Sequence, residues 1–501
     1  MDGDRSINLT DGELVKPLLM LSLPIVLTNM LQVGYNLADT FWVGRLGQDA
    51  VSALSFSWAL IFLVISLAGG FTVACTVLVS QNKGAGNEDH ANHVAGQAIA
   101  FLVGLSAFTS LVGYVFAPTL LTAVGATPGS AEYQLSLEYT RTMFLGIPFM
   151  FGFFIFQSLL QGWGDTKTPF YLMTFGVVLN VVADPFFILG FQNNILFEAL
   201  GLTGLEQSLY DATGFAGMGV QGAALATIAS RGLGAVIAMG MLLSGRVGLK
   251  PSPGDFVPDL ETIREMVKIG APASVEESTR AVGVMLLTAL VAIVGDDAVA
   301  AYGIGNRLTS LVILPAIGLA RGTETVVGQN LGADQVERAK RAVYASAGIV
   351  VTIFAVVSVV AFVFAEPITS AFITGENSDA VIDLGGDYLQ IVGLSFAFLG
   401  IFRIVQGGFR GSGSTRTAMI FSILALIVFR IPPAYLLVEL ADMGATGVWY
   451  GIAFSNVVIA IVAGAWFLRG TWTDNVVDSD DLGPGMSMPD PEPEPEPDTD
   501  D

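Results

Sequence analysis

Four polar residues recur along an otherwise apolar stretch: Asn29, Gln32, Asn36 and Asp39, at steps of three, four and three. On a helix this spacing makes one stripe. A second apolar stretch carries Asn180 and Asp184 one turn apart, followed by Pro185, and a third carries Thr227. Brought together, Asp39, Asn180, Asp184 and Thr227 supply two carboxylates, an amide and a hydroxyl. That all-oxygen set suits protons, Na⁺ or another hard cation. Two carboxylates in a poorly solvated pocket cannot both ionise freely, so they are expected to titrate as a unit with a shared proton or cation. Plainer roles exist for both. Asp39 could simply close its span at the membrane interface. Asn180 and Asp184 could steady a kink at Pro185, which cannot donate a hydrogen bond to Val181.

These residues need elements to hold them. Of the 501 residues, 53% are apolar and 13% charged, which excludes an ordinary soluble protein. Runs of about 20 apolar residues, enough to cross a bilayer, recur along the chain. Six fall at 17–42, 51–79, 93–116, 139–160, 168–190 and 217–243. Six more fall at 267–294, 299–327, 342–364, 387–408, 417–438 and 445–468. Their continuity argues for helices and against a barrel of short alternating strands. The expected fold is an all-α polytopic membrane protein with twelve transmembrane helices. Its divisions are an N-terminal segment 1–13, a first lobe 14–245, a linker 246–266, a second lobe 267–470 and an acidic tail 471–501.

The lobes are copies. Sliding the chain by 248 places Pro24 on Pro272, Gly47 on Gly295 and Gln81-Asn82-Lys83-Gly84-Ala85 on Gln329-Asn330-Leu331-Gly332-Ala333. Gly162-Trp163-Gly164-Asp165-Thr166 matches Gly411-Ser412-Gly413-Ser414-Thr415 one residue further on. Six helices per copy start both lobes on the same side, as parallel repeats around a central cavity. The first lobe has the longer outer loop, at 191–216. The chemistry is not duplicated: Asp39 maps to Leu287, Asn180 to Phe429 and Asp184 to Pro433.

Lys83, Lys167, Arg246, Lys250, Arg264, Lys268, Arg338, Lys340, Arg341 and Arg416 fall in one set of alternate loops, and Arg45 almost alone in the other. The excess of Lys and Arg marks the cytoplasmic side and puts both termini there. Much of the net charge of −22 comes from the tail, where Pro alternates with acid. Such a tail cannot bury a core; it is expected to solubilise the chain, or to serve as a docking arm. Acidic outer loops (Asp296, Asp297, Asp379, Asp383, Asp387) suggest adaptation to high salt. The linker 249–255 is rich in Pro and Gly and precedes an amphipathic stretch, Asp259 to Lys268, expected on the cytoplasmic surface. The N-terminus lacks a signal peptide's basic region. Cys75, the one cysteine, allows no disulfide within the chain. His90 and His93 are expected as solvated loop residues.

Pro24, Asp39 ahead of Val43-Gly44-Arg45-Leu46-Gly47, Gln81-Asn82-Lys83-Gly84-Ala85-Gly86, Gln161-Gly162-Trp163-Gly164-Asp165-Thr166 and Asn180-Val181-Val182-Ala183-Asp184-Pro185 occur in this order. Over nearly all of 14–470 the chain resembles the multidrug and toxic-compound extrusion (MATE) family, and its Asp-Pro pair is closest to the DinF-like and archaeal branch. The resemblance implies a cation site at Asp39, Asn180, Asp184 and Thr227, with helix hinges at Pro24 and Pro185. It also implies export of amphipathic, often cationic organic compounds in exchange for Na⁺ or H⁺ across the cell membrane. Asn36, Gln32, Tyr139, Gln157, Met173 and Glu277 are candidate cavity residues. Packing is the alternative for Tyr139 and Met173, and interhelical hydrogen bonding for Gln157 and Gln161. Glu276 and Arg280, four apart, are expected to neutralise each other, and Arg321 to pair with Glu324. Some branches pair a glutamate on the seventh helix with an acid on the tenth. Here the tenth carries Arg403, and Asp387 only at its start.

No glycine loop with lysine to cradle phosphate and no nucleophile–base set occurs, so ATP hydrolysis and enzyme activity are not expected. The expectation is a monomeric secondary exporter with no cofactor beyond its coupling ion, no nucleic-acid partner, and small organic substrates. A lipid-linked saccharide flippase of the same superfamily is the alternative, and a non-transporting receptor or scaffold a poorer one.

Overall fold

The computed structural model describes residues 6–192, 194–373 and 378–473. The tail beyond 473 lies outside the described residues. The first six spans are α1 (Val15–Gly44), α2 (Gln48–Gly84), α3 (Glu88–Ala123), α4 (Ala131–Trp163), α5 (Lys167–Leu189) and α6 (Gly219–Leu243). The next three are α7 (Leu260–Val294), α8 (Asp296–Gly332) and α9 (Val336–Val363). The tenth, α10, is a pair, Asp379–Gly393 and Phe396–Gly411, bent by 52°; α11 (Thr415–Glu439) and α12 (Gly444–Leu468) complete the set. Among the described residues eleven helices are long and apolar enough to span a bilayer, twelve with the bent pair, so the chain is a multi-pass membrane protein. Leu23, Leu37, Phe108, Met285 and Val356 are exposed along these helices. In lipid such exposure costs nothing, because acyl chains are as apolar as the side chains.

Several helices outrun the bilayer. At 37 residues α2 is about 55 Å long, and its inner end meets the other lobe. Here the duplicated motifs find their reason. Gln81 Nε2 donates to the carbonyl of Gly411 at 3.1 Å, and Gln329 Nε2 donates to that of Gly162 at 2.9 Å. The two bonds are copies of each other under the repeat. A Cβ at Gly84 would fall on the carbonyl of Gln329, and one at Gly332 on that of Gln81, so glycine at both positions lets the helices touch. Gln161 Nε2 adds a bond to Arg321 O at 3.2 Å, and Ser274 Oγ one to Leu67 O at 2.8 Å. The lobes are thus joined at the end that carries the basic loops.

The repeated prolines sit within α1 and α7, which both continue past them. One turn before each, a threonine from the neighbouring helix start donates to a carbonyl: Thr166 to Leu21 and Thr415 to Ile269, both at 2.8 Å. These bonds brace the turn where the missing proline N–H weakens the ladder. Gly47 and Gly295 take φ of 108° and 143° ahead of α2 and α8, in the region that favours glycine.

Several expectations are corrected. The amphipathic stretch from Asp259 to Lys268 is continuous with the seventh span: it forms the start of α7, capped by the Asp259 side chain. The linker is tied to α3: Gln97 donates to Asp255 O and Val257 O at 2.8 and 2.6 Å, and Asn92 accepts from Lys250 N at 2.7 Å. His90 and His93 lie in the first turns of α3, and His93 bridges Asp255 and Asp259 at 3.3 and 3.4 Å. The outer loop of the first lobe holds two short helices, Ile195–Ala199 and Thr203–Thr213. Asp296, Asp297 and Asp379 open helices rather than loops, where the helix dipole favours negative charge. The tenth span begins at Asp379, so Asp387 lies about two turns inside it. The N-terminal segment is docked: Ile7 N donates to Gly164 O, Leu9 is buried, and Arg338 donates to the carbonyls of Leu9, Asp11, Gly12 and Glu13.

Candidate functional site

The stripe on α1 faces α5 and α6. Asn180 and Asp184 are 0% exposed and Asp39 only 1%. Asn180 Nδ2 donates to Asp184 Oδ1 at 3.0 Å. Asp39 and Asp184 lie within electrostatic reach of each other, and both reach Tyr35 and Tyr139. Thr227 Oγ1 and the Tyr35 hydroxyl share a hydrogen bond of 2.5 Å. Asp39 Oδ1, Asn180 Oδ1 and Asp184 Oδ2 are buried without any hydrogen-bond partner. Buried polar atoms are nearly always paired. Three orphaned acceptor oxygens in one cluster, two of them on carboxylates, have the character of a site for a proton or hard cation.

A cavity of about 360 Å³ lies beside this cluster. Gln32, Asn36, Gln157, Met173 and Thr227 line it, and so do Tyr35 and Arg231. Tyr139 does not; it is 1% exposed and packs in the core of the first lobe. Pro185 lies within α5, and its carbonyl accepts from Asn194 Nδ2 at 2.9 Å. Pro24 lies within α1, and its carbonyl accepts from Thr28 at 2.8 Å.

Two members of the first-lobe site escaped the sequence reading. Tyr35 stands four residues before Asp39, and Arg231 four after Thr227; the helical step from residues already chosen points to both. Arg231 donates to Gln32 Oε1 and to Met173 Sδ, and lies over the rings of Tyr35 and Phe153 at 5.4 and 5.5 Å. The interior of this lobe is therefore not purely acidic.

The second lobe differs from expectation as well. Glu276 pairs with Arg410, not Arg280: Arg410 Nη2 donates to Oε1 at 2.8 Å and its Nε to Oε2 at 3.1 Å. Gln406 Nε2 adds a bond to Oε1 at 2.7 Å. Glu277 accepts from Arg410 at 3.0 Å and lies 4.0 Å from Arg321, so its carboxylate is engaged by arginines. Arg321 also lies 4.0 Å from Glu324, whose oxygens make no hydrogen bond. Arg410 occupies the place of Gln161 in the repeat.

The chain is similar to known proteins over most of its length. The chain is 29% identical over 437 residues to "Probable multidrug resistance protein YoeA" of Bacillus subtilis, covering 85% of this chain and 88% of that one. It is 25% identical over 419 residues to a protein named "FAD transporter" of Shewanella oneidensis, covering 84% and 87%. The solved structure described as a MATE in complex with MaL6 superposes with a TM-score of 0.82 at 25% identity, covering 94% of this chain and 99% of that one. A family model described as MatE matches twice, at 24–186 and 272–436. Each match begins on one of the repeat-related prolines, Pro24 and Pro272, so the unit duplicated here is the family's own, and the chain belongs to the MatE family of multidrug and toxic-compound extrusion proteins.

Proposed function

We propose that the protein is a secondary exporter that exchanges Na⁺ or H⁺ for amphipathic organic compounds by rocking its two lobes. The observation that carries this reading is the set of orphaned oxygens on Asp39, Asn180 and Asp184, beside a 360 Å³ cavity that the hydrogen-bonded Tyr35 and Thr227 line. Cavities of that size accept drug-sized molecules, and family relatives are named for drug resistance. The basic loops are cytoplasmic by charge, so the lobes are joined on the cytoplasmic side and this state faces outward. Both termini, including the docked N-terminal segment, are then cytoplasmic.

A coupling ion acts only through different affinity for two states. With a proton or Na⁺ between them, Asp39 and Asp184 can stay buried at little cost. Without it they hold two carboxylates in a dry pocket, at a cost of several kcal/mol. Ion entry therefore changes which packing of α1 against α5 and α6 is favoured. Pro24, where α1 lacks one ladder bond, is the hinge where α1 reseats.

The test is dye efflux from proteoliposomes with Na⁺ and pH gradients imposed separately. Asp39→Asn and Asp184→Asn each abolish ion-driven efflux and leave the size-exclusion profile intact. Wild-type flux from either variant would refute the coupling site.

A further inference from the structure

The second lobe holds a cavity of its own, about 150 Å³, between α7, α8, α10, α11 and α12. Arg280, Arg403 and Arg430 line it. Among the described residues none of the three has a carboxylate within 4.0 Å. Arg403 Nη1 donates to Gln406 Oε1 at 3.3 Å, and Arg430 Nη2 to Asn456 Oδ1 at 2.8 Å, both neutral partners. The Nε of Arg403 and of Arg430 are buried with no acceptor. Among the described residues Glu276 is the only acid on the wall, and it is 3% exposed with both oxygens engaged by Arg410 and Gln406.

Arg280 is exposed and Arg403 and Arg430 are half-buried, but the Nε of the latter two are kept from water with no acceptor, and a buried donor left unpaired costs about 1–3 kcal/mol. The fork of Arg matches a carboxylate or phosphate in two parallel bonds. Arg430 is also held in place: Asn456, which accepts its bond, donates in turn to Ser395 Oγ at 2.9 Å. A ring system stands beside the arginines. Tyr302 stacks on Trp449 at 6.1 Å and 14°, and Tyr388 meets Trp449 edge-on at 5.0 Å. The volume is too small for a drug-sized molecule, which needs about 300 Å³ or more, but it holds a charged head group with part of a ring.

We propose that this cavity binds the carboxylate or phosphate of an amphipathic aromatic substrate, so that the protein exports organic anions or zwitterions. The proposal rests on the reading of the chain as an exporter and names the substrate class. It divides the labour between the lobes. The coupling cation sits on the carboxylates of the first lobe and the substrate anion on the arginines of the second. The two then do not compete for one group, and coupling passes through the packing of the lobes.

The test uses the full chain in phosphatidylcholine nanodiscs, with fluorescein and its methyl ester as probes read by anisotropy. The pair differs by one carboxylate charge. Wild type prefers fluorescein by about 10-fold or more, the worth of one charge-assisted pair. R403Q and R430Q bring the ratio of affinities towards one, and R430K restores part of it. A ratio is insensitive to a general loss of folded protein. Equal affinity of wild type for the two probes, or an undiminished ratio in both glutamine variants, overturns the proposal. Phosphatidylglycerol in the nanodisc is the second arm. Displacement of fluorescein by that lipid at a few molecules per disc makes the cavity a lipid headgroup site and also overturns it. A carboxylate preference that follows the arginines, without dye movement under any ion gradient, upholds the site and refutes the exporter reading.

Discussion

Truncating Gln81 and Gln329 to alanine tests whether the duplicated glutamines hold the lobes together. Each donates to a carbonyl of the opposite lobe, at 3.1 and 2.9 Å, and both side chains are buried, at 0% and 3% exposure. A neutral hydrogen bond contributes about 0.5–1.5 kcal/mol net, and the carbonyl of Gly411 or Gly162 left behind in a buried place adds to the loss. We take about 1.5 kcal/mol per site and about 3 kcal/mol for the pair, which is about 150-fold in the ratio of joined to parted lobes. A wild type resting at about 99:1 joined would come close to balance. The assay is electron–electron double resonance between nitroxides at E88C and E337C, on exposed sites of opposite lobes at this end. Cys75 is the sole native cysteine and is buried, so labelling is confined to the introduced positions. The double variant shows a second, longer distance population, and each single variant shows a smaller part of it. A distribution unchanged from wild type in the double variant refutes the reasoning, and the burden of closure then falls on helix packing around Gly84 and Gly332.

Three further outcomes are expected. Gly84→Leu places a side chain against the Gln329 carbonyl, so the same resonance assay shows parted lobes even with both glutamines present. Arg231→Gln removes a guanidinium that bonds Gln32 and Met173 and covers Tyr35; binding of a cationic dye to the first-lobe cavity tightens, because a fixed positive charge is gone from its wall. Asp259 caps α7, and hydrogen bonds from the Thr262 hydroxyl and Glu261 N–H hold its carboxyl down to about 2 from an ordinary value of 3.8. A depressed carboxyl contributes stability above its unfolded value and loses it as pH falls through the folded one. Asp259→Ala therefore lowers thermal stability at pH 7, by about 1 kcal/mol for a lost cap, and the gap to wild type narrows between pH 4 and pH 2.

Much of this protein was legible in the chain because a bilayer leaves few choices. Long apolar runs must be helices, since no water is present to satisfy an open backbone, and the 248-residue repeat with its matched prolines and glycines announced two like lobes. Asp39, Asn180 and Asp184 stood out because acids and amides in apolar runs are costly, and helical spacing alone put Asn180 against Asp184. Partner choice between helices was not legible. Glu276 has Arg280 four residues away and nevertheless binds Arg410, more than a hundred residues on, because α7 and α10 face each other across the lobe. For the same reason the sequence hid the surplus of Arg280, Arg403 and Arg430 around one cavity, and the reciprocal reach of Gln81 and Gln329. Periodicity along one helix fixes which residues share a face. Which faces meet, and so which charges are cancelled and which are left over, is decided only when the helices pack.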